Sequence, residues 1–173
     1  LDLPGVPSGE MPARDYGARP LQFVFCGHVG PNRRLIEFFE AWCRVSEPEA
    51  FRLHLYGKIH NGEQLLKHAD RCGVSSLLEI HGYVPDAELD AALRSAHFAI
   101  NLRWPTMGEA SASQLRYWSA GLPSLVTDVG WYAELPDEVV CKIPVTSEIP
   151  EITRLLQDIL ADPDAYGRLG QRG

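Results

Sequence analysis

The sequence lacks the long apolar runs and the excess of basic residues that mark membrane-spanning and nucleic-acid-binding proteins. No stretch approaches the roughly 20 apolar residues of a transmembrane helix. Residues 1–20 lack the apolar centre of a signal peptide. The chain has 16 Lys and Arg against 23 Asp and Glu, a net charge of −7. Because a nucleic-acid partner favours a basic face, we expect no nucleic-acid binding.

Cysteine is scarce, and its spacing does not suggest a paired site. We interpret the four cysteines as reduced core thiols of a cytosolic protein, rather than as disulfides or zinc ligands: Cys26, Cys43, Cys72 and Cys141. The sequence shows no Ser-His-Asp set and no cluster with metal-ligand spacing, so we expect no metal. Three histidines in or beside apolar runs are interpreted as satisfied core residues: His54, His81 and His97.

Short apolar runs alternate with amphipathic segments along most of the chain. The apolar runs predict strands at 21–26, 51–56, 77–81, 97–102, 124–127 and 139–143. Periodicity and capping residues predict helices at 34–45, 63–72, 86–95, 112–120 and 148–161, with one more helix starting at 162–173. This alternation predicts an α/β fold: a Rossmann-like open parallel sheet of about six strands with helices on both faces.

Residues 1–20 contain four prolines and no periodicity, which predicts a linker before a single domain at 21–173. We therefore expect the chain to be a piece of a larger protein, cut at a domain boundary. In the common doubly wound order, strands 1 and 4 are neighbours, and ligands bind outside their carboxyl ends. The loops at 27–34 and 103–109 would meet at that point.

The first of these loops reads GHVGPNRR, which is neither GxGxxG nor a Walker loop, so a dinucleotide dehydrogenase gains no support. Gly27 and Gly30 would let the backbone approach a ligand closely. Arg33 or Arg34, of which Arg33 is the preferred candidate, would clamp phosphate oxygens with a forked guanidinium, and His28 would donate to a phosphate or a sugar. The alternative is a solvated helix start with surface arginines.

The second loop leads into a helix whose start suits an anion. Ser111 is a good N-cap, and Gln114 follows at capping-box spacing. The free N–H groups and the dipole of a helix start favour a phosphate. Glu109 lies just before that start, where its carboxylate would accept hydrogen bonds from sugar hydroxyls. Alternatively, it simply favours the helix through the dipole.

Further polar groups are expected at the same edge of the sheet. Arg103 ends the fourth strand and would face the crevice or form a surface ion pair. Glu134 follows the fifth strand and would bind sugar hydroxyls or open a short helical turn. The backbone of Tyr83 and Val84, after the third strand, would hydrogen-bond a base.

Four segments carry a resemblance to a known family: FCGHVGPNRR, LHLYG, LEIHGYVPDAELDAAL and GEASASQLRYWSAGLPSLVTDVGWYAELP. Over about residues 20–165 the chain is similar to the C-terminal, donor-binding domain of family-four glycosyltransferases of the GT-B fold. The resemblance implies transfer of a sugar from a nucleotide-diphosphate donor, with retention at the anomeric carbon. It implies no cofactor and no metal, and an active site between this domain and an N-terminal one.

The resemblance also assigns roles to residues of the two loops. Glu109 matches the first Glu of a Glu-(seven residues)-Glu pattern and would touch the donor sugar. His28 and Arg33 match a basic pair that binds the diphosphate. The helix start that receives the phosphate corresponds to Ser111, Ala112 and Ser113.

One family position differs in this chain. The second Glu of the pattern, which usually binds the ribose, falls at Arg116 or Tyr117. The sequence resembles a subgroup that also lacks this second Glu, so the change does not imply loss of function.

The resemblance implies a nucleotide-sugar donor, a glycan or lipid-linked acceptor, and a role in polysaccharide biosynthesis. It places the full-length protein in the cytoplasm, with peripheral association at the inner face of the membrane, and implies an isolated domain that is inactive. Two other readings stay open. One is a GT-B nucleotide-sugar epimerase or phosphorylase, and the other is a non-catalytic α/β interaction module.

Overall fold

The computed structural model describes residues 13–172, which form one parallel sheet flanked by helices. The strand order is β3-β2-β1-β4-β5-β6, and every neighbouring pair is parallel. The strands are β1 Leu21–Cys26, β2 Phe51–Tyr56, β3 Leu78–Gly82, β4 Phe98–Asn101, β5 Ser124–Thr127 and β6 Cys141–Ile143. The predicted Rossmann-like α/β fold is therefore confirmed.

Six helices accompany the strands: α1 Leu35–Trp42, α2 Gly62–Arg71, α3 Asp86–Ser95, α4 Ala112–Ser119, α5 Glu148–Ala161 and α6 Pro163–Gly170. The bounds predicted for α3 and α5 are confirmed. The helix predicted at 34–45 begins one residue later, because Arg34 has a left-handed backbone with φ 56°, and it ends earlier, at Trp42. Gly121 ends α4 with a left-handed backbone, φ 63°. The N–H of Gly121 donates to Trp118 O (2.8 Å) and that of Leu122 to Tyr117 O (2.9 Å), a Schellman arrangement.

The central strands are buried on both faces because helices cover the sheet on each side. Side chains alternate along a strand, so Phe23 and Phe25 of β1 pack against α1 and α5, while Val24 and Cys26 pack toward α3 and α4. This two-sided burial explains the continuous apolar runs of the sequence. No helix among residues 13–172 is long and apolar enough to cross a membrane.

Residues 1–12 of the predicted linker lie outside the described residues, and the last part of that segment contacts the domain. The Arg14 guanidinium donates to the carbonyl oxygens of Ala96 (2.6 Å) and Gly121 (3.0 Å). Tyr16 is buried in the main core, and its ring occupies the space where a Cβ on Gly167 would lie. A short piece of chain before β1 thus helps to fix α6.

The three histidines predicted to be core residues have different environments. His97 is buried and satisfied, since its Nδ1 accepts from the Gln22 N–H at 2.9 Å. His54 is half-buried. For His81 the prediction was wrong, because β3 is an edge strand and leaves this side chain exposed. All four cysteines are free thiols, of which Cys26 and Cys141 are buried.

Candidate functional site

The loops after β1 and β4 meet at the carboxyl edge of the sheet. The two strands pair in register, with Phe23 opposite Phe98. Beyond them, the Trp104 N–H donates to the Asn32 carbonyl at 2.8 Å, which joins one loop to the other. The crevice expected from the doubly wound strand order therefore exists where the sequence placed it.

Arg33 is a buried cation, not the surface arginine of the alternative interpretation. Its side chain is only 4% exposed, and its guanidinium carbon lies 5.2 Å from the centre of the Phe25 ring. Nε donates to the His28 carbonyl at 3.2 Å, whereas Nη1 is buried and has no hydrogen-bond partner among residues 13–172. Burial, and then the charge of Arg103, lower the pKa of Arg33. A buried donor left without an acceptor is costly, so this geometry favours an anion.

Arg103 is a second guanidinium with an unused buried donor. Its backbone N–H donates to Thr127 Oγ1 at 2.8 Å, and its Nη1 donates to the carboxylate of Glu109. Nε is buried and has no partner among the described residues. The predicted ion pair is thus present, and it joins two of the predicted site residues to each other.

Glu109 is held by donors of its own loop. The Met107 N–H donates to Oε2 at 3.0 Å, and the Thr106 hydroxyl lies 3.4 Å from the same oxygen. Backbone N–H groups, its own foremost, and the Arg103 charge lower the pKa of Glu109. The carboxylate is therefore ionised, and its half-exposed position leaves it open to a ligand.

The start of α4 is capped as predicted, but only one half of the capping box forms. The Gln114 N–H donates to Ser111 Oγ at 3.2 Å. The Gln114 side chain does not reach back to the cap. It is buried instead between Asn101 Nδ2 (3.0 Å) and Ser124 Oγ (2.7 Å), which ties α4 to β4 and β5. This network fixes the helix start against the ends of the strands.

A cavity of about 340 Å³ opens beside this helix start. Five of the predicted binding residues and one predicted catalytic residue line it: Gly27, His28, Tyr83, Val84, Ala112 and Ser113. The Ser113 hydroxyl donates to the Cys26 carbonyl at 3.1 Å, which joins α4 to the end of β1. The Tyr83 side chain is 89% exposed and projects from the rim of the cavity.

Other predicted residues lie outside this cavity. Arg33, Arg103 and Glu109 lie along the two loops beside it. Gly30 lines a neighbouring cavity of about 320 Å³ instead. Glu134 is the exposed last residue of a short 3-10 helix, Gly130–Glu134, which matches the alternative of a short helical turn.

Several lining residues were missed by the sequence analysis. Lys58 and Gly57 follow β2 at the same carboxyl edge, so the rule that located the other loops also points to them. Gly57 has φ 117°, and a Cβ there would overlap the Gly27 carbonyl. Only glycine therefore lets the loops after β1 and β2 pack this closely.

Arg116 lies in the cavity wall near the position where the family pattern expects a Glu. Its Nη2 donates to Asp86 at 2.9 Å and its Nε to Asp90 at 3.1 Å, and both partners lie on α3. The cation is thus neutralised by two acidic residues that the sequence analysis did not connect with it.

Three side chains outside the crevice also meet: His54, Glu79 and His81. The sequence analysis missed this group because its members come from two strands. Local spacing along the chain does not reveal which residues face each other across β2 and β3.

Comparison with known proteins gives one family. The sequence model of the family described as Glycosyl transferases group 1 matches residues 20–162. No curated protein matches the chain.

Several solved structures share the fold. The structure of WaaG, a glycosyltransferase involved in lipopolysaccharide biosynthesis, superposes with a TM-score of 0.76 at 17% identity over 89% of this chain. The C-terminal domain of a group 1 glycosyltransferase, LpcC, from Francisella tularensis gives 0.72 at 14% identity over 87% of this chain and 80% of that domain. Anabaena HepE, solved with UDP and glucose, gives 0.73 at 14% identity over 88% of this chain. The chain spans 42% of the length of WaaG and of HepE.

Proposed function

Since the chain belongs to the glycosyl transferases group 1 family, we propose that it binds the nucleotide-diphosphate sugar donor of a two-domain, GT-B glycosyltransferase. The observation that carries the proposal is a pair of buried guanidinium donors in the crevice between the loops after β1 and β4, Arg33 Nη1 and Arg103 Nε, for which the described part of the chain offers no acceptor. Two donors of like charge without acceptors suit a polyanionic ligand such as a diphosphate.

The diphosphate would lie between Arg33 and the start of α4. The first N–H groups of a helix have no partner within the helix, so those of Ala112 and Ser113 are available for phosphate oxygens. His28, exposed at the cavity wall, adds one more donor. These groups would stabilise the charge that develops on the departing nucleotide diphosphate. Preorganised charges of this kind are usually the largest single contribution to catalysis.

The nucleoside would occupy the 340 Å³ cavity. Tyr83 and Val84 at its rim offer backbone groups to the base. Arg116, held by Asp86 and Asp90, is one of the two positions, with Tyr117, to which the family pattern assigns a ribose-binding Glu. The ribose would therefore contact the ion pairs between α3 and α4 instead of a single carboxylate.

Glu109 would accept hydrogen bonds from hydroxyls of the donor sugar. Its carboxylate is ionised and fixed by Arg103 and by the Met107 N–H, so it is preorganised for this task. Transfer would proceed with retention and without a metal. The acceptor would be a glycan or a lipid-linked glycan bound largely by an N-terminal domain, so this domain alone would turn over little substrate. We place the full-length enzyme in the cytoplasm, at the inner face of the membrane.

Stabilisation of the domain by nucleotides tests the proposal. A ligand at a hundred times its Kd stabilises the folded state by about 2.7 kcal/mol, and for a chain of this size each kcal/mol raises Tm by about 2–4 °C. We therefore expect one of UDP, GDP and ADP, or its sugar conjugates, to raise Tm by about 5–10 °C. UDP is the first choice because HepE was solved with it.

Two variants decide whether that shift comes from the proposed site. Arg33→Gln should abolish it, while Arg154→Gln should not, because Arg154 is an exposed arginine paired with Glu151 and Asp158 on α5. A chain that none of the nucleotides stabilises, alone or in the full-length protein, would favour the interaction-module reading.

A further inference from the structure

The β3 edge of the sheet carries a second group of polar side chains. The parallel register places His54 of β2 opposite Glu79 of β3. The register then shifts, since Leu55 pairs with Ile80 and Tyr56 with Gly82, so His81 is the extra residue of β3 at a bulge. His54 Nδ1 lies 3.0 Å from His81 Nε2 and 3.5 Å from Glu79 Oε2, and the latter two atoms are 3.8 Å apart. Two imidazole nitrogens and one carboxylate oxygen thus converge on one point.

These separations match those of ligands around a tetrahedral ion. With bonds of about 2.0–2.1 Å, two ligand atoms at the tetrahedral angle lie about 3.3–3.4 Å apart. The three distances in this group lie on both sides of that value, so small side-chain rotations would bring all three atoms to bonding distance.

A neighbouring amide fixes the tautomer of His54. The Gln22 Nε2 donates to the Pro20 carbonyl at 3.0 Å, which directs its Oε1 to His54 Nε2 at 2.6 Å. His54 Nε2 must therefore carry the proton, and Nδ1 presents its lone pair to His81 and Glu79. Metal-bound histidines are typically oriented in this way, by a hydrogen bond from the other ring nitrogen.

We propose that His54, Glu79 and His81 form a transition-metal site, with Zn²⁺ as the ion. Two imidazoles and one carboxylate suit Zn²⁺, whereas Mg²⁺ and Ca²⁺ prefer oxygen ligands alone. The exposed fractions of the three side chains are 20%, 55% and 30%, so a fourth position is open to water. The site does not depend on the proposed glycosyltransferase function.

The metal would connect the edge strand to the sheet beside the nucleoside cavity. Tyr56, which lines that cavity, stacks on the His81 ring with 4.4 Å between centroids and an interplanar angle of 5°. Arg52, two residues before His54 on the same face of β2, adds a positive charge that opposes a cation. We therefore expect weaker binding than at a four-ligand structural zinc site.

The test is a titration of the chelator-stripped chain with ZnCl₂ by calorimetry and with Co²⁺ by visible absorption. We expect one equivalent bound, with tetrahedral Co²⁺ bands and no thiolate charge-transfer band. Gln22→Met, which removes a positioning residue, should weaken binding roughly 10–100-fold. Loss of a ligand in His81→Ala or Glu79→Gln should weaken binding more than that. Both side chains are at the edge of the sheet, so we expect both variants to fold, which circular dichroism checks.

His60→Ala is the matched control. His60 is also exposed and also pairs with a histidine, His28, with 4.3 Å between ring centroids. This variant should bind Zn²⁺ as the parent does. The proposal is overturned if the chain binds no Zn²⁺, if His81→Ala and Glu79→Gln bind it as tightly as the parent, or if His60→Ala is the variant that loses it.

Discussion

Arg33 and Arg34 are adjacent in sequence but lie in two regions that differ in whether carboxylates balance the charge of the arginine. Arg33 points into the crevice, buried and with a guanidinium donor unused. Arg34 points to the helical layer behind the sheet, where it donates to buried Glu148 at 2.7 Å and pairs with Glu37 at 2.9 Å. The left-handed backbone of Arg34 separates the two directions. The charge of Arg34 is thus balanced within the fold, whereas the charge of Arg33 is available to an anionic ligand.

The largest expected effect is the loss of transfer rate when Arg33, the arginine in the crevice, is replaced. Arg33→Ala should reduce the transfer rate of the full-length enzyme by about 10²–10³-fold, by analogy with loss of one preorganised donor to a developing charge. The free energy of unfolding should change little, since the removed cation has no charged partner among residues 13–172. Steady-state kinetics and denaturant unfolding of the same variant measure both quantities. A wild-type rate in Arg33→Ala would contradict the role of Arg33 in binding the donor.

Arg34→Ala should show the opposite pattern. It leaves the Glu148 carboxylate buried without its cation, and breaking a buried pair in this way costs about 3 kcal/mol. Nucleotide affinity should be unchanged. The variant Glu148→Gln, which removes the other charge, provides the control: in combination with Arg34→Ala it should recover part of the lost stability. If Arg34→Ala lost nucleotide binding while retaining stability, the roles proposed for Arg33 in binding and for Arg34 in stability would be wrong.

A smaller effect is expected from the buried histidines, because a histidine can lose its proton on burial, whereas Arg33 does not. Burial lowers the pKa of His97, and that of His54 shifts in the same direction. A folded-state pKa below the unfolded one means that stability is full above about pH 6.5 and is lost as pH falls through the folded-state pKa. This smaller effect should appear in unfolding curves recorded between pH 7 and pH 5.

His97→Asn tests the origin of that acid sensitivity. The Asn oxygen can still accept from the Gln22 N–H but does not titrate, so the pH dependence should flatten. An unchanged slope would mean that other groups cause it.

Much of the fold could be predicted from the sequence because burial on two faces leaves a plain pattern. The strands β1, β2 and β5 and the helices α3 and α5 have the bounds that their apolar runs and caps predicted. The crevice followed from strand order alone. The predicted bounds of a helix were wrong where the backbone of a single residue turns the chain, as Arg34 does at the start of α1.

Side-chain partners could not be predicted, because they depend on distances between elements. Gln114 matched a capping box in sequence, yet Asn101 and Ser124 offered it buried partners on the strands. His81 matched a core histidine, yet its strand lies at the edge of the sheet.

The proposed mode of donor binding can be tested with a crystal structure of the domain in complex with its nucleotide-diphosphate sugar. We expect the diphosphate between the two loops, with a phosphate oxygen within hydrogen-bond distance of Arg33 Nη1 and others at the N–H groups of Ala112 and Ser113. We also expect the hydroxyls of the donor sugar to reach Glu109. A diphosphate bound elsewhere, with Arg33 Nη1 still without a partner, would contradict this mode of binding.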